Sequence, residues 1–117
     1  MRVLLIDDEE ELVTTLAERL DLRGIASDWA TSGEGGLRLA RQQVYDVAVL
    51  DMKMPGQGGL ETLRELKRSR PGMPIIVITG HSAEEDRLAS LEAGAALYLL
   101  KPMDMEDLVA SMHSLVK

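Results

Sequence analysis

Five short β-rich apolar runs, Arg2–Ile6, Ala26–Ala30, Asp46–Leu50, Pro74–Ile78 and Ala96–Leu100, recur along this chain with stretches of helical spacing between them. No other feature limits the fold as strongly, because strand and helix in repeated alternation close into a parallel sheet through right-handed crossovers. In residues 9–22, Leu12, Val13, Leu16, Ala17 and Leu20 share one stripe, and Leu108, Val109, Met112, Leu115 and Val116 repeat the pattern near the other end. Gly24, Gly33, Pro55-Gly56, Pro71-Gly72 and Gly94 fall at the joints, where turns and helix ends are needed. The runs "VAVL" and "IIVI" are apolar without alternation, which places them at the centre of a sheet covered on both faces. The expected fold is α/β: a doubly wound sheet of five parallel strands with five helices. A length of 117 residues suits a single domain over 1–117.

Hydrophobic residues at 45% and charged residues at 28% describe a chain that folds rather than one that stays disordered. The net charge of −7 opposes a phosphate backbone, so direct nucleic-acid binding is not expected. No apolar run approaches the roughly 20 residues that cross a bilayer. Met1-Arg2 precedes only a few apolar residues before the acidic cluster Asp7–Glu10, which is not a signal-peptide pattern, so a cytoplasmic location without membrane association is expected. The absence of cysteine excludes disulfides and thiolate metal sites.

An open α/β sheet binds its ligands outside the carboxyl ends of the strands. Asp7-Asp8, Asp51, Thr79-Gly80 and Lys101-Pro102 follow four of the five runs and converge on that edge. Taken singly, the acidic residues are better read as favouring helix N-termini through the dipole, and Thr79 as the cap of the fourth helix. Taken jointly, three carboxylates, a hydroxyl and an ammonium form a set that holds a divalent cation and a phosphoryl group. Mg2+ prefers oxygen ligands and takes one or two carboxylates, so this set suits it. Protons compete with such a cation, and its affinity should weaken as pH falls.

Other phosphate motifs fail. "GQGGLE" and "GEGGLR" replace the third glycine of the dinucleotide fingerprint with Glu61 and Arg38, and no GxxxxGK[ST] occurs. Asp51-Met52-Lys53 lacks the second aspartate of the Asp-x-Asp phosphatases.

Four fragments in order, "LLIDDEE", "VAVLDMKMPGQGGLE", "IIVITGHS" and "YLLKP", resemble the response-regulator receiver domains of bacterial two-component signalling over essentially the whole chain. The resemblance implies a flavodoxin-like strand order of 2-1-3-4-5 and a cis peptide before Pro102. It implies that Asp51 is the phosphoacceptor, served by a sensor histidine kinase or a phosphotransfer domain. Asp8 and Asp51 would bind Mg2+ directly with the backbone carbonyl of Lys53, and Asp7 would act through a bound water. Lys101 and Thr79 would meet the phosphoryl oxygens, and Thr79 with Tyr98 would form the switch pair. The output face would be the fourth helix, fifth strand and fifth helix, a surface that also admits a homodimer.

By that resemblance the chain is expected to be a switch rather than a turnover enzyme, one that would catalyse only its own phosphorylation and dephosphorylation. The alternatives are a Mg2+-dependent phosphohydrolase and a receiver-like interaction module that is not phosphorylated. Lys53 and His81, two residues beyond Asp51 and Thr79, offer no carboxylate or amide to orient an attacking water, so a long-lived aspartyl phosphate is expected. Gly36 stands inside the second helix, where relatives often carry alanine, and should soften it by about 1 kcal/mol. Trp29 on the second strand is expected to serve packing. Lys117 falls where the fifth helix should end, as in a stand-alone regulator or the receiver part of a longer protein.

Overall fold

The computed structural model describes residues 1–52, 58–80 and 84–116. The first strand, β1 (Arg2–Ile6), leads into α1 (Glu10–Leu22). The alternation continues through β2 (Ala26–Ala30), α2 (Gly33–Gln42), β3 (Val47–Asp51), α3 (Gly59–Ser69), β4 (Ile75–Thr79), α4 (Glu84–Glu92), β5 (Leu97–Leu100) and α5 (Met105–Leu115). All five strands pair in parallel in the order β2-β1-β3-β4-β5, as the resemblance implied. The ladder runs one residue further along β3 and β4 than the apolar runs indicate. Asp51 lies opposite Ile78 and Thr79 opposite Leu100, so both polar side chains belong to the sheet itself.

Side-chain alternation in β1 divides the core between the two faces of the sheet. Val3 and Leu5 pack with Val13 and Leu20 of α1 and with Leu108 and Met112 of α5. Leu4 and Ile6 face the other way, against Leu37 of α2 and Leu63 and Leu66 of α3. Every residue of β3 and β4 is buried, which is what an uninterrupted apolar run requires. Each large side chain so enclosed contributes roughly 1.5–3 kcal/mol relative to exposure.

Ser32 caps α2 by accepting a hydrogen bond from the Gly35 N–H at 3.0 Å. Gly24 and Gly94 adopt φ of +75° and +110° just beyond α1 and α4, a backbone region that glycine enters without steric penalty.

Two expectations are corrected. Gly36 is buried, and a Cβ there would overlap Ile6 Cδ1 and lie 2.7 Å from Ile6 Cγ1. Its role is therefore to let α2 approach β1 closely, which a propensity argument alone misses. Trp29 does not enter the core: it is 39% exposed. β2 is an edge strand paired only with β1, so its side chains are flanked on one side only.

Candidate functional site

The carboxyl edge of the sheet brings the expected acidic residues together. Carboxylate oxygens of Asp7, Asp8 and Asp51 lie within 4.8 Å of one another, the one such group of potential metal ligands among the described residues. Asp7 and Asp51 are buried at 5% and 4% exposure, whereas Asp8 is exposed. Three like charges at this spacing repel strongly, and the compensation comes from the far end of the chain. Lys101 Nζ donates to Asp7 Oδ2 at 3.1 Å and stands 3.7 Å from Asp51 Oδ2.

Local folding fixes each member. The Asp7 N–H donates to Ala30 O of β2 at 3.1 Å, and Asp7 Oδ1 accepts from the Glu9 N–H at 3.0 Å. Both carboxylate oxygens of Asp7 thus have protein partners, while Asp8 stands at the solvent side. Lys101 follows β5, where its N–H donates to Thr79 O at 2.8 Å, and the Lys101-Pro102 peptide is cis. Thr79, 2% exposed, ends the strand beside Asp51's own. Lys53, expected to contribute its carbonyl, and His81 lie outside the described residues, as do Pro55 and Gly56.

Tyr98 sits on β5 opposite Val77, partly buried against the core cluster of α2 and α3. Burial pushes its hydroxyl above the usual tyrosine range, the negative charge of Asp86 on α4 adds to this, and Arg87 opposes it. Arg87 is in turn paired with Glu84 one helical turn back, Nε to Oε2 at 3.1 Å. This charged first turn of α4 beside Tyr98 was not anticipated from the sequence, although "EEDR" displays its composition.

Gly59 was also missed. It opens α3 directly against the backbone of Met52, the residue after Asp51, at a position where a Cβ would lie 2.7 Å from the Met52 carbonyl carbon. The adjacent glycines of "GQGGLE" are the available signal; they belong to the fragment that resembles the phosphoacceptor segment and to an incomplete nucleotide motif, and neither reading gives Gly59 a role of its own.

A parallel sheet of order 2-1-3-4-5, with a carboxylate triad at its carboxyl edge faced by a lysine, defines a recognisable class of α/β domain. The family model for the response regulator receiver domain matches residues 3–113, and the chain belongs to that family. The transcriptional regulatory protein TctD of Salmonella typhimurium is 37% identical over 117 residues, which is 100% of this chain and 52% of that protein. This chain spans about half the length of the curated relatives it matches.

Among solved structures, a CheY-like response regulator receiver domain protein from Methanospirillum hungatei superposes with a TM-score of 0.93 at 30% identity, covering 97% of this chain and 90% of that one. A response regulator from Burkholderia pseudomallei, solved with a phosphorylated aspartic acid, calcium ion and citrate, gives 0.90 at 30% identity, covering 95% of this chain and 65% of that one. Among the described residues, no helix is long and apolar enough to cross a membrane.

Proposed function

We propose that this receiver domain is a phosphorylation-dependent switch in which Asp51 accepts a phosphoryl group from a histidine kinase or phosphotransfer domain, with Mg2+ as cofactor. The observation that carries the reading is the convergence of Asp7, Asp8 and Asp51 on one point with Lys101 set against two of them. An all-oxygen, strongly negative donor set fits a hard divalent cation and no softer metal. Asp8 and Asp51, with the Lys53 carbonyl, are the residues to hold it. Asp7, with both oxygens already engaged by the chain, suits contact through water. When bound, the cation supplies positive charge to the phosphoryl oxygens. The phosphorylated aspartate and calcium ion of the Burkholderia relative support this chemistry.

In the transfer, an Asp51 oxygen bonds to phosphorus as the donor's phosphorus–nitrogen bond breaks, and the electron pair leaves with the imidazole. Catalysis of this kind consists of positioning and charge neutralisation. Lys101, already 3.7 Å from Asp51, offers its ammonium to a second phosphoryl oxygen, and the Thr79 hydroxyl with the Gly80 amide offers donors to a third. Movement of Thr79 toward the phosphoryl group would free space for the Tyr98 ring, biasing the face formed by α4, β5 and α5. Leu88, Leu91 and Leu100 are exposed at 48%, 37% and 47%, which leaves apolar surface there for an effector or a second copy.

Incubation with Mg2+ and beryllofluoride tests the reading. Stoichiometric binding that Asp51→Asn abolishes supports the switch. No binding would instead indicate an unphosphorylated interaction module, and repeated turnover of a phosphomonoester would indicate a phosphohydrolase.

A further inference from the structure

Gly59 has no room for a side chain, and the obstruction is main chain. A Cβ at this position would overlap the Met52 carbonyl oxygen and stand 2.7 Å from both the carbonyl carbon and Cα of Met52. Backbone cannot rotate away as a side chain can, so either α3 or the segment leaving Asp51 would have to shift.

Met52 is poorly placed to yield. Its N–H donates to Ile78 O of β4 at 3.1 Å, and its partly buried side chain packs on the core cluster of α2 and α3. The neighbouring glycines behave differently. Gly58 faces open space, and a Cβ on Gly33 of α2 would meet the side-chain hydroxyl of Thr62, not backbone.

We propose that Gly59 is a positioning residue for phosphoryl transfer. By letting the start of α3 rest on the Met52 backbone, it fixes the main chain immediately after the acceptor. The direction of the Asp51 carboxylate is thereby set relative to Asp7, Asp8 and Lys101. The proposal rests on the reading of Asp51 as acceptor. It assigns to α3 a part in the chemistry although no α3 side chain lies among the triad and Lys101.

The test compares Gly59→Ala with Gly58→Ala, Gly33→Ala and the unaltered chain. Magnesium affinity is measured by calorimetry, the rate of Asp51 labelling by acetyl phosphate at saturating Mg2+, and stability by urea denaturation. A displacement near 1 Å at reacting groups costs on the order of 10²-fold in rate, so Gly59→Ala should label about 10²-fold more slowly. Disturbing what orients a metal ligand costs about 10–100-fold in affinity, so it should bind Mg2+ about tenfold more weakly. Gly33→Ala should lose stability yet keep both site readouts within about twofold, a separation that a purely structural role for glycine would not produce.

A folded Gly59→Ala with unchanged magnesium affinity and labelling rate overturns the proposal. Should that variant unfold in buffer, all four proteins are measured in concentrated sucrose, which favours the compact state. Failure to fold even there makes Gly59 a requirement of the fold and overturns the positioning role. If the unaltered chain neither binds Mg2+ nor becomes labelled, the reading of Asp51 itself fails. If it does both and Gly59→Ala matches it, only the role of Gly59 fails.

Discussion

Replacing Lys101 with methionine removes one positive charge from between two buried carboxylates while nearly preserving side-chain length. The ammonium lies 3.1 Å from Asp7 Oδ2 and 3.7 Å from Asp51 Oδ2, with the side chains of Lys101, Asp7 and Asp51 exposed by 24%, 7% and 6%. At an effective dielectric of about 20, each contact is worth roughly 5 kcal/mol of gross attraction. Desolvation of the ions offsets much of that, and removing one partner of a buried pair typically costs about 3–5 kcal/mol. The part-exposed ammonium puts Lys101→Met at the lower end, about 3 kcal/mol less stable in the absence of divalent cations.

Magnesium should behave in the opposite sense. With the competing ammonium gone, the carboxylates attract the cation more strongly, so Mg2+ should bind the variant more tightly and stabilise it more than the unaltered chain. At a concentration of about 100 times Kd the gain is about 2.7 kcal/mol. Phosphoryl transfer should nonetheless slow, because a donor to the phosphoryl oxygens is missing. Urea denaturation of both proteins with and without Mg2+ measures these effects. A Lys101→Met protein that matches the unaltered chain within about 0.5 kcal/mol without Mg2+, or that Mg2+ stabilises no more than the parent, would show that the ammonium does not hold these carboxylates together.

Gly36→Ala gains about 1 kcal/mol of helix propensity but drives a methyl into Ile6, which is 1% exposed. Overpacking costs about 1–3 kcal/mol, so a net loss of about 1 kcal/mol is expected. In a cycle with Ile6→Val, which shortens the obstructing side chain, the two substitutions should couple favourably by at least about 0.5 kcal/mol, and additivity would count against the contact. Tyr45, buried with its hydroxyl donating to Asp28 Oδ2 at 2.7 Å, is held above the usual tyrosine range first by burial and then by that carboxylate. Tyr98 is raised as well. The unfolded chain therefore releases these protons first, and stability should fall as pH rises above about 10, by about 1.4 kcal/mol per pH unit for Tyr45. Phenolate absorbance that appears at the ordinary tyrosine value in the folded protein would contradict this. The aspartyl phosphate should persist after acetyl phosphate is removed, and release of phosphate within seconds would show that Lys53 and His81 do not set its lifetime in the way proposed.

The legible parts of the site share one physical basis. Asp7, Asp51, Thr79 and Lys101 stand where an apolar run stops, and in a parallel sheet all such stops point to one edge. Hydrophobic periodicity was sufficient to find the strands because β3 and β4 have no solvent face to interrupt them. The order of the strands came through family resemblance, since periodicity says nothing about which crossover passes on which side.

Strand ends were misplaced by one residue at β3 and β4 because polar residues there still pair with a neighbouring strand. The contacts of Gly36 with Ile6 and Gly59 with Met52 depend on how a helix is rotated against the sheet, information spread over many residues. For the same reason, the sequence could not show that Lys101 approaches Asp7 more closely than Asp51. Trp29 was misjudged because an aromatic residue in a strand is usually enclosed, and only the sheet order reveals that β2 is an edge.

On the function proposed above, the buried carboxylate of Asp51, among Asp7, Asp8 and Lys101, is the group that takes phosphorus. Labelling with acetyl phosphate in Mg2+, reduction of the acyl phosphate with borohydride and peptide mass spectrometry test it most directly. One magnesium-dependent modification, located at residue 51, is expected. Modification at Asp7 or Asp8 instead, or labelling that is indifferent to chelation of the metal, would contradict it.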